Sequence, residues 1–399
     1  MSRRPIARSP DLKRLRDEEF NIDIVGGNLV MADVPYVNER REVNRGALIA
    51  PLQLADDVTA GMADHTVMWT GDYPCDQHGK RIERISNQEF PAPGNTITEG
   101  LVARFAFSAK KKVAGEFIPY PDYYAKMTTY AAILSGPAQA LQPGITAQTA
   151  PFIPNDEAEG VFKYVDTASS RAAIDAVTLK LSVSRIAIIG LGGTGSYVLD
   201  LTAKTPVKEI HLFDGDLFLQ HNAFRSPGAP SGEELARKPY KVDYFAGIYG
   251  KMRHGIVPHA AFMTPGGIDQ LAGFDFVFLC MEGSGKRAIV ERLMKLGIPF
   301  IDVGMGLQLR GGSLTGQLRT TMVTADYRDH VAKRIPFAQN DERNEYDTNI
   351  QIADLNALNA ALAVGRWKRL CGFYADLERE HHMVYVVSGN DILNEDQAA

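Results

Sequence analysis

The stretch RIAIIGLGGTGSYVLDLTAK, residues 185–204, decides the fold. Ile186–Ile189 is an unbroken apolar run rich in β-branched side chains, the composition of a strand covered on both faces. A glycine-rich turn follows, Gly190-Leu191-Gly192-Gly193-Thr194-Gly195, and a helical segment follows the turn. Gly190 permits a tight turn, Gly192 lets backbone N–H groups come close to a phosphate, and Gly195 lets the helix pack closely on the strand. The helix N-terminus then faces the turn with unsatisfied donors and a partial positive charge. Such a turn also occurs for packing alone, but between a buried strand and a helix it reads as a nucleotide-phosphate loop.

The surrounding pattern extends this reading. A second strand is expected at Glu209–Phe213, helical stretches through residues 232–253, and a buried strand over residues 274–281. The helix KRAIVERLMKLG, a short strand PFIDVG, the long amphipathic helix NIQIADLNALNAALAVGRWKRL and a last strand MVYVVSG complete the series. Apolar strands alternating with helices predict an α/β fold, a Rossmann-like doubly wound and mostly parallel sheet over residues 160–399. A helix is also expected over DTASSRAAIDAVTLKL, residues 166–181. Upstream, residues 21–118 carry short apolar runs separated by Gly, Pro and Asn, and PYPDYYAKMTTYAAILSGPAQAL turns into a helical pattern. Residues 1–150 therefore read as a smaller N-terminal α+β domain. Proline-rich residues 140–160 read as a linker, and the charged residues 1–20 as a solvated terminus with one helix from Pro10.

Composition narrows the function classes. The chain has 399 residues, 45% of them hydrophobic and 23% charged, as in soluble multidomain proteins. Lys+Arg 43 against Asp+Glu 48 gives a net charge of -5, which argues against a chain built to coat nucleic acid. Cys75, Cys280 and Cys371 are far apart and form no CxxC pair, so neither a structural zinc nor a disulfide framework is expected. No apolar run approaches the ~20 residues needed to cross a bilayer. The start lacks the apolar stretch of a signal peptide, and a cytoplasmic protein with no membrane partner is expected.

The residues after the second strand choose between nucleotides. That strand ends in Asp214-Gly215-Asp216, an acidic end suited to ribose hydroxyls in NAD and ATP alike. Next come Asn222 and Arg225 in HNAFRSPG, then Lys241 at the start of a helix. A dehydrogenase has no use for an Arg and a Lys there. An enzyme that expels pyrophosphate from ATP needs fixed cations over the triphosphate. Taken singly, each would be ordinary surface charge; following a glycine loop and an acidic strand end, the pair is not.

In these residues the region 165–375 resembles the ThiF-type, ubiquitin-activating-enzyme-like adenylyltransferases. GLGGTG, Asp214-Gly-Asp216, Asn222-Ala-Phe-Arg225, Lys241 and Cys280-Met281-Glu282 follow that family's motifs in order. The layout, with a partner domain before the activating one, also resembles bacterial proteins of ubiquitin-like conjugation pathways. The resemblance implies ATP-dependent adenylation of the C-terminal carboxylate of a ubiquitin-like protein, with release of pyrophosphate. It implies ATP held by Gly190, Gly192, Gly193, Gly195, Asp214, Asp216 and Asn222, with Arg225 and Lys241 on the phosphates. It also implies Mg2+ held by Glu282, where the family carries a shorter Asp. Arg171 resembles a family arginine that reaches a neighbouring subunit's ATP, and the helix with NALNAALAV a dimer-proximal helix, so a homodimer is expected. A degenerate conjugating-enzyme-like N-terminal domain would bind the ubiquitin-like partner.

The second half-reaction stays open at this level. The family's acyl-accepting Cys would lie in GMGLQLRGGSLTGQLRTTMVTADYRDH, which has none. Cys280 and Cys371 read as packing residues. The adenylate is then handed to a separate conjugating-enzyme-like protein, or taken by a hydroxyl among Ser313, Thr315, Thr320 and Thr321 with His330 as base, or by Cys75 in a turn. Two other readings compete with adenylation as a whole: an NAD-dependent oxidoreductase, and a non-catalytic scaffold that binds ATP.

Overall fold

The computed structural model describes residues 4–62, 64–113, 116–155, 160–283, 285–337 and 350–397. Four residues of the expected linker, 156–159, and the first residue of the expected C-terminal helix, Asn349, lie outside them. The chain divides into two compact units, Met1–Phe152 and Ile153–Ala399.

The first unit is a six-stranded antiparallel sheet. Its long strands are Asn28–Val37 and Val43–Pro51. The helix Tyr123–Leu141, capped by the Asp122 side chain and continuous through Pro137, packs on them. Trp69, Tyr130 and Leu134 are among the side chains fully removed from solvent between these layers. The N-terminus differs from the solvated segment expected of it. Arg4–Arg8 and Pro10–Asp17 are helices, and Leu12 and Leu15 are fully buried. Asp11 accepts from the backbone N–H of Tyr123 at 3.1 Å and from the Thr59 hydroxyl at 2.8 Å. Those bonds dock the segment; Arg4, Arg8 and Arg14 face water, while Arg16 is buried in an ion pair with Asp17.

In the second unit we number the main elements in chain order. They are β1 (Arg185–Ile189), α1 (Gly193–Ala203), β2 (Glu209–Phe213), α2 (Lys241–Tyr249), β3 (Ile256–His259), β4 (Phe276–Leu279), α3 (Lys286–Leu296), β5 (Phe300–Arg310), β6 (Ser313–Val323), α4 (Ala353–Leu370), β7 (Glu380–Val386) and β8 (Asp391–Gln397). One eight-stranded sheet runs β3-β2-β1-β4-β5-β6-β7-β8. The first five strands are parallel, and the last three add antiparallel to that edge. The sheet is thus doubly wound in its parallel half, as the alternation of strands and helices predicts. Strand β1 shows why its sequence is apolar throughout. Ile186 and Ile188 face a core with α1, α2 and α4, while Ala187 and Ile189 face the opposite core with α3. Each isoleucine so buried contributes about 1.5–3 kcal/mol.

Three expectations need correction. The helix expected over residues 166–181 is broken: Thr167–Arg171 and Asp175–Thr178 are separate turns of helix, divided by Ala173 at φ 55°. β3 and β8 were unforeseen, because Pro258 interrupts one and the other is largely polar and exposed. The strand expected to be short at PFIDVG is long: β5 runs on to Arg310 and pairs with β6 in one hairpin from Phe300↔Val323 to Arg310↔Ser313. Among the described residues no helix is long and apolar enough to cross a membrane.

Behind β6 lies a cluster of buried histidines. His330 and His381 both reach the carbonyl of Met322, and His382 Nδ1 meets the Thr321 hydroxyl at 3.0 Å. Burial, then Arg334 and Arg319, push His382 down to about 4; burial lowers His330 and His381 as well. A histidine held below its unfolded value near 6.5 takes up its proton on unfolding. For His382, stability therefore falls on acidification from about pH 6.5 to about pH 4, by at most ~1.4 kcal/mol per pH unit, and His330 and His381 act in the same direction. Chemical unfolding across that window should show a steeper loss for the wild type than for His382→Gln; equal slopes would contradict the assignment.

Candidate active site

The glycine turn sits where the strand order reverses between β1 and β4, at the C-terminal ends of the parallel strands. Gly190 takes φ +90°, and a side chain there would run into the backbone carbonyl of Cys280. At Gly195 a Cβ would overlap the carbonyl oxygen of Gly190 and press on Cys280. So α1 lies against the turn that precedes it, with its first N–H groups over the strand ends.

A cavity of about 660 Å³ opens above this turn. It is lined by Gly190, Gly192, Gly193, Asp214, Asp216, Asn222, Arg225, Lys241 and Glu282. All of these were singled out in the sequence, and they come from separate loops brought to one place. Gly195 lies beneath the cavity rather than in its wall, consistent with its packing role. Arg171 does not line it; it lies exposed at the end of a short helix.

The polar groups divide into those that shape the cavity and those that face into it. Asp214 shapes it. One carboxylate oxygen accepts from the N–H of Leu191 inside the glycine turn at 2.7 Å, and the other from the N–H of Asp216 at 2.8 Å. The expected ribose contact would have to use the remaining lone pairs of these oxygens. Asn222 accepts from the N–H of Leu219 at 2.9 Å, while its own carbonyl receives the N–H of Arg225, so it builds the turn that carries Arg225. Lys241, only 5% exposed, pairs with Asp216 at 2.6 Å and lies 3.5 Å from Asp214. Arg225 is different: it is half-buried, and its Nε is buried without a hydrogen-bond partner. Desolvation lowers its pKa, the mark of a cation short of compensating charge. His221, on the same wall, is pushed below its usual range by burial and by Arg225 and Lys241.

The carboxylates offer hard oxygen donors of the kind Mg2+ takes, and that ion commonly uses one or two carboxylates with phosphate oxygens and water. Glu282 is an exposed carboxylate on the cavity wall and Asp216 is a second carboxylate in the same lining, so the residues present fit the ion.

The proposed acyl acceptors fare differently. Cys75 is fully buried and burial raises its thiol pKa, so it presents no exposed nucleophile. Burial likewise raises Cys280, and pushes Cys371 up to about 11. Thr320 and Thr321 are buried inside the sheet, and His330 bonds to Met322 rather than to any of the four hydroxyls. Ser313 is exposed at the hairpin tip and Thr315 half-exposed.

Several lining residues carried no sequence signal. Phe262 and Met263, after β3, form part of the wall, and so do Met305 and Asn359. Their spacing along the chain is long and their types are generic. The structure adds that Asn356 and Asn359, on one face of α4, are both fully buried, unusual for amides in a helix core.

The ThiF family model matches residues 166–366, just over half the chain. The chain belongs to the ThiF family. Residues 10–167 match a domain of unknown function, DUF6791. No curated protein matches the chain. Among solved structures, E. coli MccB bound to MccA-N7isoAsn is similar at 14% identity and a TM-score of 0.47, covering 58% of this chain and 70% of that one. PaaA is similar at 16% identity and a TM-score of 0.43, covering 55% of this chain and 75% of that one.

Asp214 gives this ThiF unit a direct test. Replacing it with Asn turns one acceptor into a donor opposite a backbone N–H, at a cost of about 1–3 kcal/mol. Asp214→Asn should lower the melting temperature and weaken nucleotide binding together; loss of neither would contradict its role in holding the turn.

Proposed function

We propose that the ThiF unit uses ATP and Mg2+ to adenylate a C-terminal carboxylate, that of the last glycine of a ubiquitin-like protein. The observation that carries this reading is the pairing of a glycine turn with two cations across one cavity, one of them, Arg225, having a buried Nε with no hydrogen-bond partner. A buried guanidinium nitrogen without a hydrogen-bond partner is costly unless an anion completes it.

In this scheme the N–H groups at the start of α1 hold phosphate oxygens, and Asp214 keeps the turn in the shape that presents them. Lys241 moves from Asp216 to the phosphates, where charge is greater, and Arg225 donates to the same tail. Asp216 and Glu282 would hold Mg2+, which supplies charge neutralisation at the phosphates. The carboxylate oxygen bonds to the α-phosphorus as the bridging α–β P–O bond breaks, and pyrophosphate leaves with the electron pair. Positioning and electrostatics carry the step, with no covalent protein intermediate. With Cys75, Thr320 and Thr321 buried, and with His330, the base expected for Ser313 and Thr315, bonded to Met322 instead, the acyl adenylate passes to a separate conjugating-enzyme-like protein.

The test is pyrophosphate–ATP exchange by the full chain with a ubiquitin-like protein ending in glycine. Exchange should depend on that protein and fall roughly 100-fold or more in Arg225→Ala and in Lys241→Ala. Exchange without dependence on the partner, or variants as active as the wild type, would contradict the proposal. An NAD-dependent enzyme would bind NAD and ignore Arg225; a scaffold would bind ATP without exchange.

A further inference from the structure

Asn356 lies in the first turn of α4, a position none of the glycine, acidic or cationic motifs includes. It is fully buried, against α1 and the loop after β2. Its neighbours along the helix, Ala360, Ala363 and Val364, fill the same core with apolar atoms. A buried amide is costly unless both its donor and its acceptor find partners, and Ala or Leu would also serve the helix better.

Both ends of this amide are used, and by two different sides of the cavity. The Thr194 hydroxyl, in the first turn of α1, donates to Oδ1 at 3.0 Å. Nδ2 donates to the backbone carbonyl of Arg225 at 3.3 Å. Gly193 packs directly on the amide, and any side chain there would overlap it. The other side of the Arg225 backbone is fixed by the turn built on Asn222. Arg225 therefore has its main chain held on two sides while its buried Nε stays without a partner.

We propose that Asn356 is a positioning residue that sets Arg225 at a fixed distance from the glycine turn, so that both address one polyphosphate. The proposal rests on reading the cavity as an ATP site. Without the strut, Arg225 still has its charge but not its register, and a misplaced guanidinium gains less from the phosphate than it loses on ordering. The partner, a nucleoside triphosphate, feels Asn356 only through Arg225 and the turn.

The experiment is a double-mutant cycle on ATP affinity, measured by titration calorimetry on the full chain with Mg2+. Asn356→Ala should weaken ATP binding about tenfold in the wild-type background, the size of one or two hydrogen bonds. In the Arg225→Ala background the same change should cost less than about twofold, because residues acting through one another are not additive. Thermal melting of each variant reports its folding. If Asn356→Ala does not fold, Asn356→Ser, which is too short to span both partners, is put through the same cycle with the same expectation. Equal losses in both backgrounds, or ATP affinity unchanged in a folded variant, would overturn the proposal and leave the site reading standing. A wild-type protein that binds no ATP would overturn both.

Discussion

Everything in the parallel half of the second unit depends on how closely α1 approaches the turn before it. A helix whose third residue has no side chain rests on the carbonyl oxygen of Gly190, and Gly190 itself is pressed against the end of β4. That contact tolerates no side chain at either position. It aims the first N–H groups of the helix over the ends of the parallel strands, where the partial positive charge of the helix has the most effect on an anion. Asp214 then ties the middle of the turn to the end of β2, so the two neighbouring strand ends and the helix form one rigid frame. The cations sit on that frame from separate directions: Lys241 opens α2, and Arg225 comes from the turn after β2.

The frame also shows a division of electrostatic labour. Lys241 is neutralised by Asp216, so it can be buried in the absence of an anion. Arg225 has no comparable arrangement at its Nε, and burial has lowered its pKa. One cation is held in reserve by a carboxylate that an incoming phosphate can replace. The other is left waiting in position. A buried amide on α4 supports the second, and its equally buried neighbour Asn359 donates to the carbonyl of Gly304 on β5 at 3.1 Å. The two asparagines, three residues apart, thus each hold backbone or side-chain groups of residues that line the cavity: Thr194 and Arg225 for Asn356, Gly304 for Asn359.

What was legible in the sequence was local. The strand–turn–helix of residues 185–204 combines buried β-branched residues with glycines at fixed offsets, a pattern that needs no long-range information. Asp214, Asn222, Arg225 and Lys241 were legible because they follow that turn in order. Illegible were features set by distant packing. Phe262 and Asn359 look ordinary in their own windows and reach the cavity only because β3 and α4 lie where they do. The charged N-terminus reads as solvated because the apolar face of Pro10–Asp17 is short, yet Leu12, Leu15 and Asp11 anchor it. Thr320, Thr321 and Cys75 carry plausible nucleophiles by type; burial, which a composition window does not report, removes them.

The central claim is that Arg225 and Lys241 converge on the tail of a triphosphate whose near end lies on the glycine turn. A crystal structure of the full chain with a non-hydrolysable ATP analogue and Mg2+ tests it most directly. The account predicts the nucleotide phosphates on the N–H groups of Gly192–Thr194, the Arg225 guanidinium on the terminal phosphates, and the Lys241–Asp216 ion pair exchanged for a lysine–phosphate contact. A nucleotide bound with its phosphates away from Arg225, or with the Lys241–Asp216 pair intact and the phosphates beyond its reach, would contradict it.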